Sequence, residues 1–477
     1  MSDVADDAWT ADAKEAFNIS IVRAEGAEVK VLHKFHPDHV YSIFGEDEQI
    51  YGYQGLDIGL SFSANDMRPN LRVKHTKKLK VPGEDGPTDV AEVLREFLPE
   101  VAYQKRKDFE TAIHNVPENW TPPGKLLTSF TRGDDIFEVW EGTLADPAVM
   151  QLLERIQVFV PLFIEGGTKI STDLSDADRW TVFFLYQKKD VPGQPAQYTF
   201  NGYCTTYRFF LMLVPTPPSS PLQTTISDLE NLELGKDDFD LTSLPCRSRI
   251  SQFIILPPFQ GRGIGPLLYR AIYERFLHHG PTVEVTVEDP NEAFDDMRDI
   301  ADLYYLRSLP EFAALHLNTS LVLPSPDGWV PQNIVDPAAA EAVRRKAKMA
   351  PRQFARVLEI HLMSRLPDAV RPGIAPPDDE RPAGPAATKE QRHELRLWKL
   401  IVGQRITRQN KDALGELEIP ERIKKLDETV ASVAFDYARL LLKAEPYAEF
   451  LGGGERGAKR KADEEAEAGM AKRPKSD

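Results

Sequence analysis

A short glycine-rich run holds the residues best suited to chemistry. Gln260-Gly-Arg-Gly-Ile-Gly265 follows the apolar stretch Ile250–Leu256 and precedes Pro266–His278, whose apolar residues have helical spacing. Glycines let a backbone turn tightly and approach a ligand closely, and a helix N-terminus presents unpaired amides and a positive dipole end. The run therefore predicts a pyrophosphate-binding loop between a strand and a helix.

Three kinds of nucleotide loop compete for this pattern. A P-loop ends in Gly-Lys-Ser/Thr, which the run lacks, and the dinucleotide fingerprint fails because its sixth position, counted from Gly261, is Pro266. The run resembles the coenzyme A loop of the GNAT superfamily of N-acetyltransferases, Gln/Arg-x-x-Gly-x-Gly/Ala, which Gln260, Gly263 and Gly265 satisfy in full. An ordinary glycine-rich turn is the alternative, and the strand–loop–helix setting favours the coenzyme loop.

Carboxylates follow at the end of the next predicted strand, Val283–Glu288. An amine acceptor such as lysine, with a pKa of about 10.4, arrives protonated, so a transferase needs a base near it. Because side chains alternate along a strand, Glu288 and Asp289 diverge and only one can point into a site. Spacing does not decide which, and both acids could simply solvate a strand end. A covalent route would need an activated cysteine, but Cys204 lies in a strand pattern and is interpreted as packing.

The elements that position these residues predict a mixed α/β chain. Trp180–Tyr186 and Gly202–Val214 form a predicted hairpin, Asn291 can cap a helix, and Ala338–Arg365 is one long helical pattern. The predicted segments are an acidic flexible N-terminus (1–20), an N-terminal α/β substrate-binding domain (21–140), an acetyl-CoA-binding N-acetyltransferase domain (141–310), a C-terminal helical domain (311–450) with a Pro-rich linker (367–385), and a disordered tail (451–477).

Composition narrows the partners. The net charge is -16, which disfavours direct nucleic-acid binding and suits a basic partner. No apolar run is long enough to span a membrane. Two cysteines in 477 residues argue against a disulfide framework, and we expect no metal.

Two basic clusters mark the tail. Lys459-Arg-Lys461 and Lys472-Arg-Pro-Lys475 are separated by an acidic, Ala-rich spacer. A flexible segment of this kind matches a bipartite nuclear import signal, because the tether raises the effective concentration for the second contact. A solvated charged tail is the alternative. We therefore expect both nuclear and cytoplasmic pools.

The sequence around the glycine-rich run points to a family more specifically than the six-residue motif does. Arg249-Ile-Ser-Gln-Phe-Ile-Ile-Leu-Pro-Pro-Phe-Gln-Gly-Arg-Gly-Ile-Gly265 and Val287-Glu-Asp-Pro-Asn291 resemble segments of the catalytic subunits of type B histone acetyltransferases. Three further segments resemble parts of the same catalytic subunits, in the same order along the chain. They are Phe44-Gly-Glu-Asp-Glu-Gln-Ile-Tyr-Gly-Tyr-Gln-Gly-Leu56, Phe163-Ile-Glu165 and Asp178-Arg-Trp180. The resemblance implies the GNAT fold, a mixed central sheet flanked by helices.

The resemblance also implies roles for individual residues. Glu288 matches the general base, with Asp289 and Glu165 as nearby carboxylates. The remaining matches fall into coenzyme and histone-tail positions: for acetyl-CoA, Phe253, Ile254, Ile255, Gln260, Gly261, Arg262, Gly263, Ile264, Gly265, Pro266 and Asn291; for the tail, Glu46, Asp47, Glu48, Trp180, Tyr207, Arg208 and Phe209. Arg208 is a departure, because it adds positive charge where a basic peptide would enter.

The implied function is acetyl transfer from acetyl-CoA to lysines on the N-terminal tail of free, newly made histone H4, by direct attack in a ternary complex. The implied partner is a WD-repeat propeller histone chaperone, and the implied processes are chromatin assembly, DNA repair and telomeric silencing. Two alternatives stay open: an N-acetyltransferase for another basic protein or a polyamine, and a histone-binding chaperone subunit with a relic coenzyme site.

Overall fold

The computed structural model describes residues 9–80, 86–171, 175–190, 193, 195–211, 243–324, 330–374 and 387–470, with side chains up to residue 444. The chain divides into two compact units. Unit 1 comprises Met1–Val214 and Ser248–Glu274, and unit 2 comprises Pro215–Arg247 and Arg275–Asp477.

The strands of the described ranges are, in chain order, β1 (Thr10–Asp12), β2 (Phe17–Glu25), β3 (Glu28–Phe35), β4 (Gln49–Tyr51), β5 (Tyr53–Gln54), β6 (Asp57–Ser63), β7 (Pro69–Lys74), β8 (Lys77–Lys78), β9 (Lys125–Arg132), β10 (Asp135–Thr143), β11 (Trp180–Lys189), β12 (Gln197–Phe210), β13 (Cys246–Ile255) and β14 (Thr282–Val287).

The α-helices of the same ranges are α1 (Ala13–Ala16), α2 (Tyr41–Phe44), α3 (Val90–Arg95), α4 (Arg106–His114), α5 (Pro147–Ile156), α6 (Phe159–Phe163), α7 (Ile264–Leu277), α8 (Glu292–Arg307), α9 (Pro310–Ala313), α10 (Pro337–Lys346), α11 (Pro351–Ser364), α12 (Lys389–Gln409), α13 (Lys411–Gly415) and α14 (Ile419–Met470). None of these helices is apolar over a length that could cross a membrane.

Two sheets form the frame of unit 1. The first has the strand order β3-β2-β6-β7, and the second contains the order β13-β12-β11-β10-β9. The predicted hairpin is confirmed, because β11 and β12 pair antiparallel with Trp180 opposite Tyr207. The Phe159 ring of α6 packs against β6, 4.9 Å from the ring of Phe62. Both side chains are fully buried, so close-packed aromatic rings support this part of unit 1.

Residues 10–20 differ from the flexible segment that we predicted. β1 pairs with β4, Thr10 opposite Tyr51, and α1 follows at once. Asp12 caps α1 by accepting a hydrogen bond from Glu15 N, and Phe17 and Ile19 of β2 are fully buried. The acidic composition of the first residues concealed this alternation of apolar side chains. Residues 1–8 lie outside the described ranges.

Unit 2 is mainly helical around buried charged groups. Glu359 on α11 is almost fully buried and accepts hydrogen bonds from Arg405 Nε (2.8 Å) and Tyr437 Oη (2.8 Å). Trp398 Nε1 donates to the Glu359 carbonyl at 2.9 Å. Burial raises the pKa of Glu359 even though Arg405 opposes that shift. These bonds fix α11, α12 and α14 together, since breaking one would leave an uncompensated buried charge.

Three boundaries depart from prediction. Ala338–Arg365 is two helices, α10 and α11, because Lys348 takes a left-handed φ of 50° and Pro351 cannot continue a preceding helix. Helix α14 continues to Met470, where we predicted a disordered tail from 451; Ala458–Ala468 is rich in good helix formers, whereas Gly452–Gly454 are not. The predicted domain boundaries at 140/141 and 310/311 fall inside β10 and at the start of α9. Residues 375–386 of the Pro-rich region and 471–477 lie outside the described ranges.

Candidate active site

The glycine-rich run forms a tight turn between β13 and α7. Gly261 and Gly263 have φ of 70° and 73°, a left-handed conformation that favours glycine. Gln260 Nε2 donates to the Ile255 carbonyl at 2.8 Å, which closes the loop onto the end of β13. Helix α7 begins at Ile264, so its first amides have no intrahelical acceptor and are available to an anion. The predicted loop between strand and helix is confirmed in geometry.

Two arginines and a histidine lie at this turn. Arg132, at the end of β9, donates from Nε to the Arg262 carbonyl at 3.2 Å. The Arg262 guanidinium lies 5.9 Å from the centre of the Phe259 ring, and His33 of β3 packs edge-on against that ring at 4.8 Å. Burial and the nearby Arg262 lower the pKa of His33. Arg132 and Arg262 therefore bring positive charge to the turn, which suits an anionic ligand.

Strand β13 leads into the turn with alternating burial. Ile254 is buried and Phe253 and Ile255 are half-buried. The neighbouring β12 approaches so closely that a Cβ on Gly202 would lie 2.2 Å from the Ile254 carbonyl oxygen. Only glycine allows this approach, so Gly202 lets the backbones of β12 and β13 lie this close together beside the turn.

Glu165 lies on the loop that follows α6 and is exposed. The next amide, Gly166 N, donates to Tyr41 Oη at 2.8 Å, and Asp38 N donates to the Leu162 carbonyl at 3.0 Å. These bonds join the loop to the segment 36–48, which carries the acidic run. The structure therefore brings Glu165 and that run to one side of unit 1.

The three acids of the run differ in role. Glu46 and Asp47 are exposed. The Glu48 carboxylate instead accepts hydrogen bonds from Val40 N (2.8 Å) and Tyr41 N (3.1 Å) at the start of α2. Glu48 also has a left-handed φ of 50°. Its carboxylate is engaged in holding α2, so Glu46 and Asp47 are the acids presented to solvent.

An aromatic cluster forms where β11 begins and β12 ends. The Trp180 and Tyr207 rings are 4.9 Å apart, and the Tyr207 and Phe209 rings are 4.7 Å apart. Arg208, the residue that departs from expectation, donates to the Asp178 carbonyl. The charge of Arg208 is thereby held against the backbone of the same unit.

Glu288, Asp289 and Asn291 belong to unit 2 and follow β14. Both acids are exposed, and Asp289 has a left-handed φ of 32°, which turns the chain after the strand. Glu284, on the strand itself, is paired with Arg247 at 2.9 Å and serves the fold. Asn291 Oδ1 accepts from Phe294 N at 2.9 Å and caps α8, as predicted; its coenzyme contact stays a prediction.

Cys204 suits packing rather than nucleophilic chemistry. Its side chain is fully buried, and burial raises the pKa of the thiol well above its usual value. A thiolate is therefore disfavoured at this position.

Known proteins are similar to this chain over most of its length. The family described as "Histone acetyl transferase HAT1 N-terminus" matches residues 9–165. The protein named "Histone acetyltransferase type B catalytic subunit" of Neurospora crassa is 50% identical over 456 residues, which cover 92% of this chain and 89% of that protein. Proteins of the same name from Gibberella zeae (48% over 466 residues, 95% of each chain) and Pyricularia oryzae (46% over 443 residues, 92% of each chain) are nearly as similar. The chain therefore belongs to the family of histone acetyltransferase type B catalytic subunits.

Proposed function

We propose that this chain transfers the acetyl group of acetyl-CoA to lysine side chains on the N-terminal tail of free, newly made histone H4. The observation that carries the proposal is the turn from Gln260 to Gly265, with two left-handed glycines between a strand and a helix. Membership of the family supplies the acyl acceptor class. We also infer the GNAT fold, which the strand–loop–helix–strand order from β13 to β14 supports.

The coenzyme would be held by backbone groups more than by side chains. The amides that open α7 suit the pyrophosphate, and the strand Phe253–Ile255 offers backbone to the pantetheine arm. Arg262 and Arg132 supply positive charge at the turn. Such contacts fix where the thioester carbonyl lies, which is the main requirement for an in-line attack.

The chemistry needs a neutral amine. A carboxylate takes a proton from the lysine ammonium, directly or through water, and Glu288 is our assignment, with Asp289 and Glu165 as the other candidates. The lysine nitrogen then bonds to the thioester carbon, the carbon–sulfur bond breaks, and the second proton that the nitrogen loses goes to the leaving thiolate. No covalent enzyme intermediate is needed, which agrees with the full burial of Cys204.

The acceptor side of unit 1 suits a basic peptide. Glu46 and Asp47 are exposed acids, and field complementarity speeds the encounter with a Lys-rich tail. The Trp180–Tyr207–Phe209 cluster offers apolar ring surface to the aliphatic stem of a lysine. The Arg249 guanidinium already lies 4.3 Å from the centre of the Phe209 ring. The net charge of -16 adds a long-range attraction for histones.

We further propose a WD-repeat propeller histone chaperone as partner subunit and a distribution between cytoplasm and nucleus. Family membership supports the first. The basic clusters at 459–461 and 472–475 support the second, as a bipartite import signal.

Calorimetry and turnover together test the proposal. The full chain should bind acetyl-CoA and acetylate a peptide of the H4 tail. Acetyl-CoA binding with turnover only on a polyamine would replace the substrate assignment. Histone binding without either acetyl-CoA binding or turnover would show a chaperone with a relic site, and would overturn the proposal.

A further inference from the structure

A buried set of polar side chains lies beneath β13, on the face opposite Phe253. Gln252 is 5% exposed and Gln157 4% exposed, while Tyr203 and Thr205 are fully buried. We call these four side chains the amide junction. They come from three elements: Gln157 ends α5, Tyr203 and Thr205 lie on β12, and Gln252 lies on β13.

The junction is fully connected. The Gln252 Oε1 atom accepts from Gln157 Nε2 at 3.1 Å and from Tyr203 Oη at 3.3 Å. Gln252 N donates to Thr205 Oγ1 at 3.1 Å. A satisfied network of this kind has one preferred geometry, because any shift leaves a buried polar atom without a partner.

Two bonds leave the junction for the loop that carries Glu165. Gln252 Nε2 donates to the Thr168 carbonyl at 2.9 Å. Gln157 Oε1 accepts from Ile170 N at 2.7 Å. These bonds hold the loop at Thr168 and Ile170, three and five residues after Glu165. Gln252, which makes one of them, directly precedes Phe253–Ile255 on β13.

The outer side of the loop is held as well. Gly166 N donates to Tyr41 Oη, and Lys169 Nζ donates to the Glu96 carbonyl. The turn is tight, since a Cβ on Gly167 would lie 2.8 Å from Ile164 Cβ. The backbone near Glu165 therefore has little freedom relative to β13.

An apolar core would hold β13 against α5 and β12 without the desolvation that amides require. A buried amide network adds direction instead, because it specifies which backbone groups of the loop meet which side chains of the strand. The two glutamines thus tie the loop to β13 through specific backbone groups, those of Thr168 and Ile170.

We propose that the amide junction positions the Glu165 loop on the acetyl-CoA strand, with Gln252 and Gln157 as positioning residues for acetyl transfer. This inference rests on the proposed function. Through these residues, the backbone of the loop that carries Glu165 keeps one place relative to Phe253–Ile255.

Gln252→Met and Gln157→Met test the inference, because methionine keeps the length and apolar stem but not the hydrogen bonds. We expect kcat on an H4 tail peptide to fall ~10- to 100-fold, the range for a misplaced group, while the Kd of acetyl-CoA changes less than ~3-fold. Asn70→Leu is the matched control. Asn70 is also a buried amide of unit 1 that donates to one backbone carbonyl, that of Gln104 at 2.9 Å. It should lower Tm and leave kcat unchanged.

A double-mutant cycle gives the second readout. Glu165→Gln in the Gln252→Met background should cost no further kcat if the junction acts through Glu165. Additive losses, or a Gln252→Met variant that loses Tm but keeps kcat, would overturn the inference.

Hydrogen exchange separates this inference from the proposed function, since it needs no activity. Gln157→Met should speed exchange at the Ile170 amide, whose acceptor it removes, and Asn70→Leu should not. Unchanged exchange at Ile170 would refute the positioning role whether or not the chain acetylates histones.

Discussion

Replacement of Gly263 tests the coenzyme loop most directly. Asparagine and aspartate have nearly the same shape, and both tolerate the left-handed region better than other residues with a Cβ. Gly263 has φ of 73° at the start of α7. Gly263→Asn therefore adds bulk with modest strain, and Gly263→Asp adds the same bulk with a negative charge.

The expected changes in the acetyl-CoA Kd distinguish the effect of the added bulk from the effect of the added charge. The free loop can relax to relieve a left-handed strain of about 1 kcal/mol, whereas the bound loop must keep it, so either variant should show a several-fold rise in the acetyl-CoA Kd. A carboxylate about 5 Å from one phosphate charge is repelled by about 3 kcal/mol at an effective dielectric constant of about 20. The aspartate variant should thus bind acetyl-CoA ~10²-fold more weakly than the asparagine variant, and added salt should narrow that gap.

Titration calorimetry with acetyl-CoA, at two salt concentrations, measures both the change in Kd caused by the added bulk and the further change caused by the added charge. Gly26→Asp is the control, since Gly26 has φ of 64° and open space beyond its Cβ position at the β2–β3 turn. It should carry the same strain and charge without changing the Kd. Equal Kd values for the Gly263→Asn and Gly263→Asp variants would refute the placement of a pyrophosphate at this turn.

Four further outcomes are expected. Glu288→Gln should keep acetyl-CoA affinity and lower turnover on the H4 tail ~10²–10⁴-fold, measured in steady-state assays; near-normal turnover would move the base to another carboxylate. Glu46→Lys with Asp47→Lys should raise the KM of the tail more than that of acetyl-CoA, less so at high salt; equal rises would indicate misfolding. Burial lowers the pKa of His361 from 6.5 to about 4, so between these pH values the unfolded chain binds a proton that the folded chain does not. The free energy of unfolding should therefore fall by about 3 kcal/mol as the pH drops from 6.5 to 4. Urea unfolding should show a smaller pH dependence in the His361→Leu variant. Residues 452–477 fused to a large reporter should carry it into the nucleus, and a reporter that stays cytoplasmic would exclude an import signal.

The features that sequence predicted well are local ones. The glycines of the loop are close together in the chain, and their left-handed φ follows from residue type. Asn291 was predicted as an N-cap because a capping side chain bonds an amide three residues on, and Phe294 N is that amide. The β11–β12 hairpin follows from two apolar runs around a turn-rich segment. In each case the partners lie within about 30 residues, where pattern and spacing are informative.

The features that sequence missed depend on partners elsewhere in the chain. In the sequence, Glu48 cannot be distinguished from its neighbours Glu46 and Asp47. In the structure, its carboxylate accepts hydrogen bonds from the amides at the start of α2. Arg132 reaches the loop from a strand 130 residues away. Nothing in the residues around Gln157 or Gln252 announces a junction, since buried and exposed glutamines look alike in a sequence. Long-range pairing, rather than residue type, decided these roles.

The same difference between local and long-range contacts distinguishes the coenzyme side of the proposed reaction from its acceptor side. The coenzyme loop carries its geometry within a few residues, so substitutions there should change acetyl-CoA affinity and leave the fold of unit 1 intact. The acceptor side depends on hydrogen bonds between distant segments: Tyr41 joins segment 36–48 to segment 164–170, and Gln252 joins segment 164–170 to β13. Substitutions that weaken those bonds should therefore change turnover more than coenzyme affinity, because they move the acceptor side relative to a loop that holds its own shape.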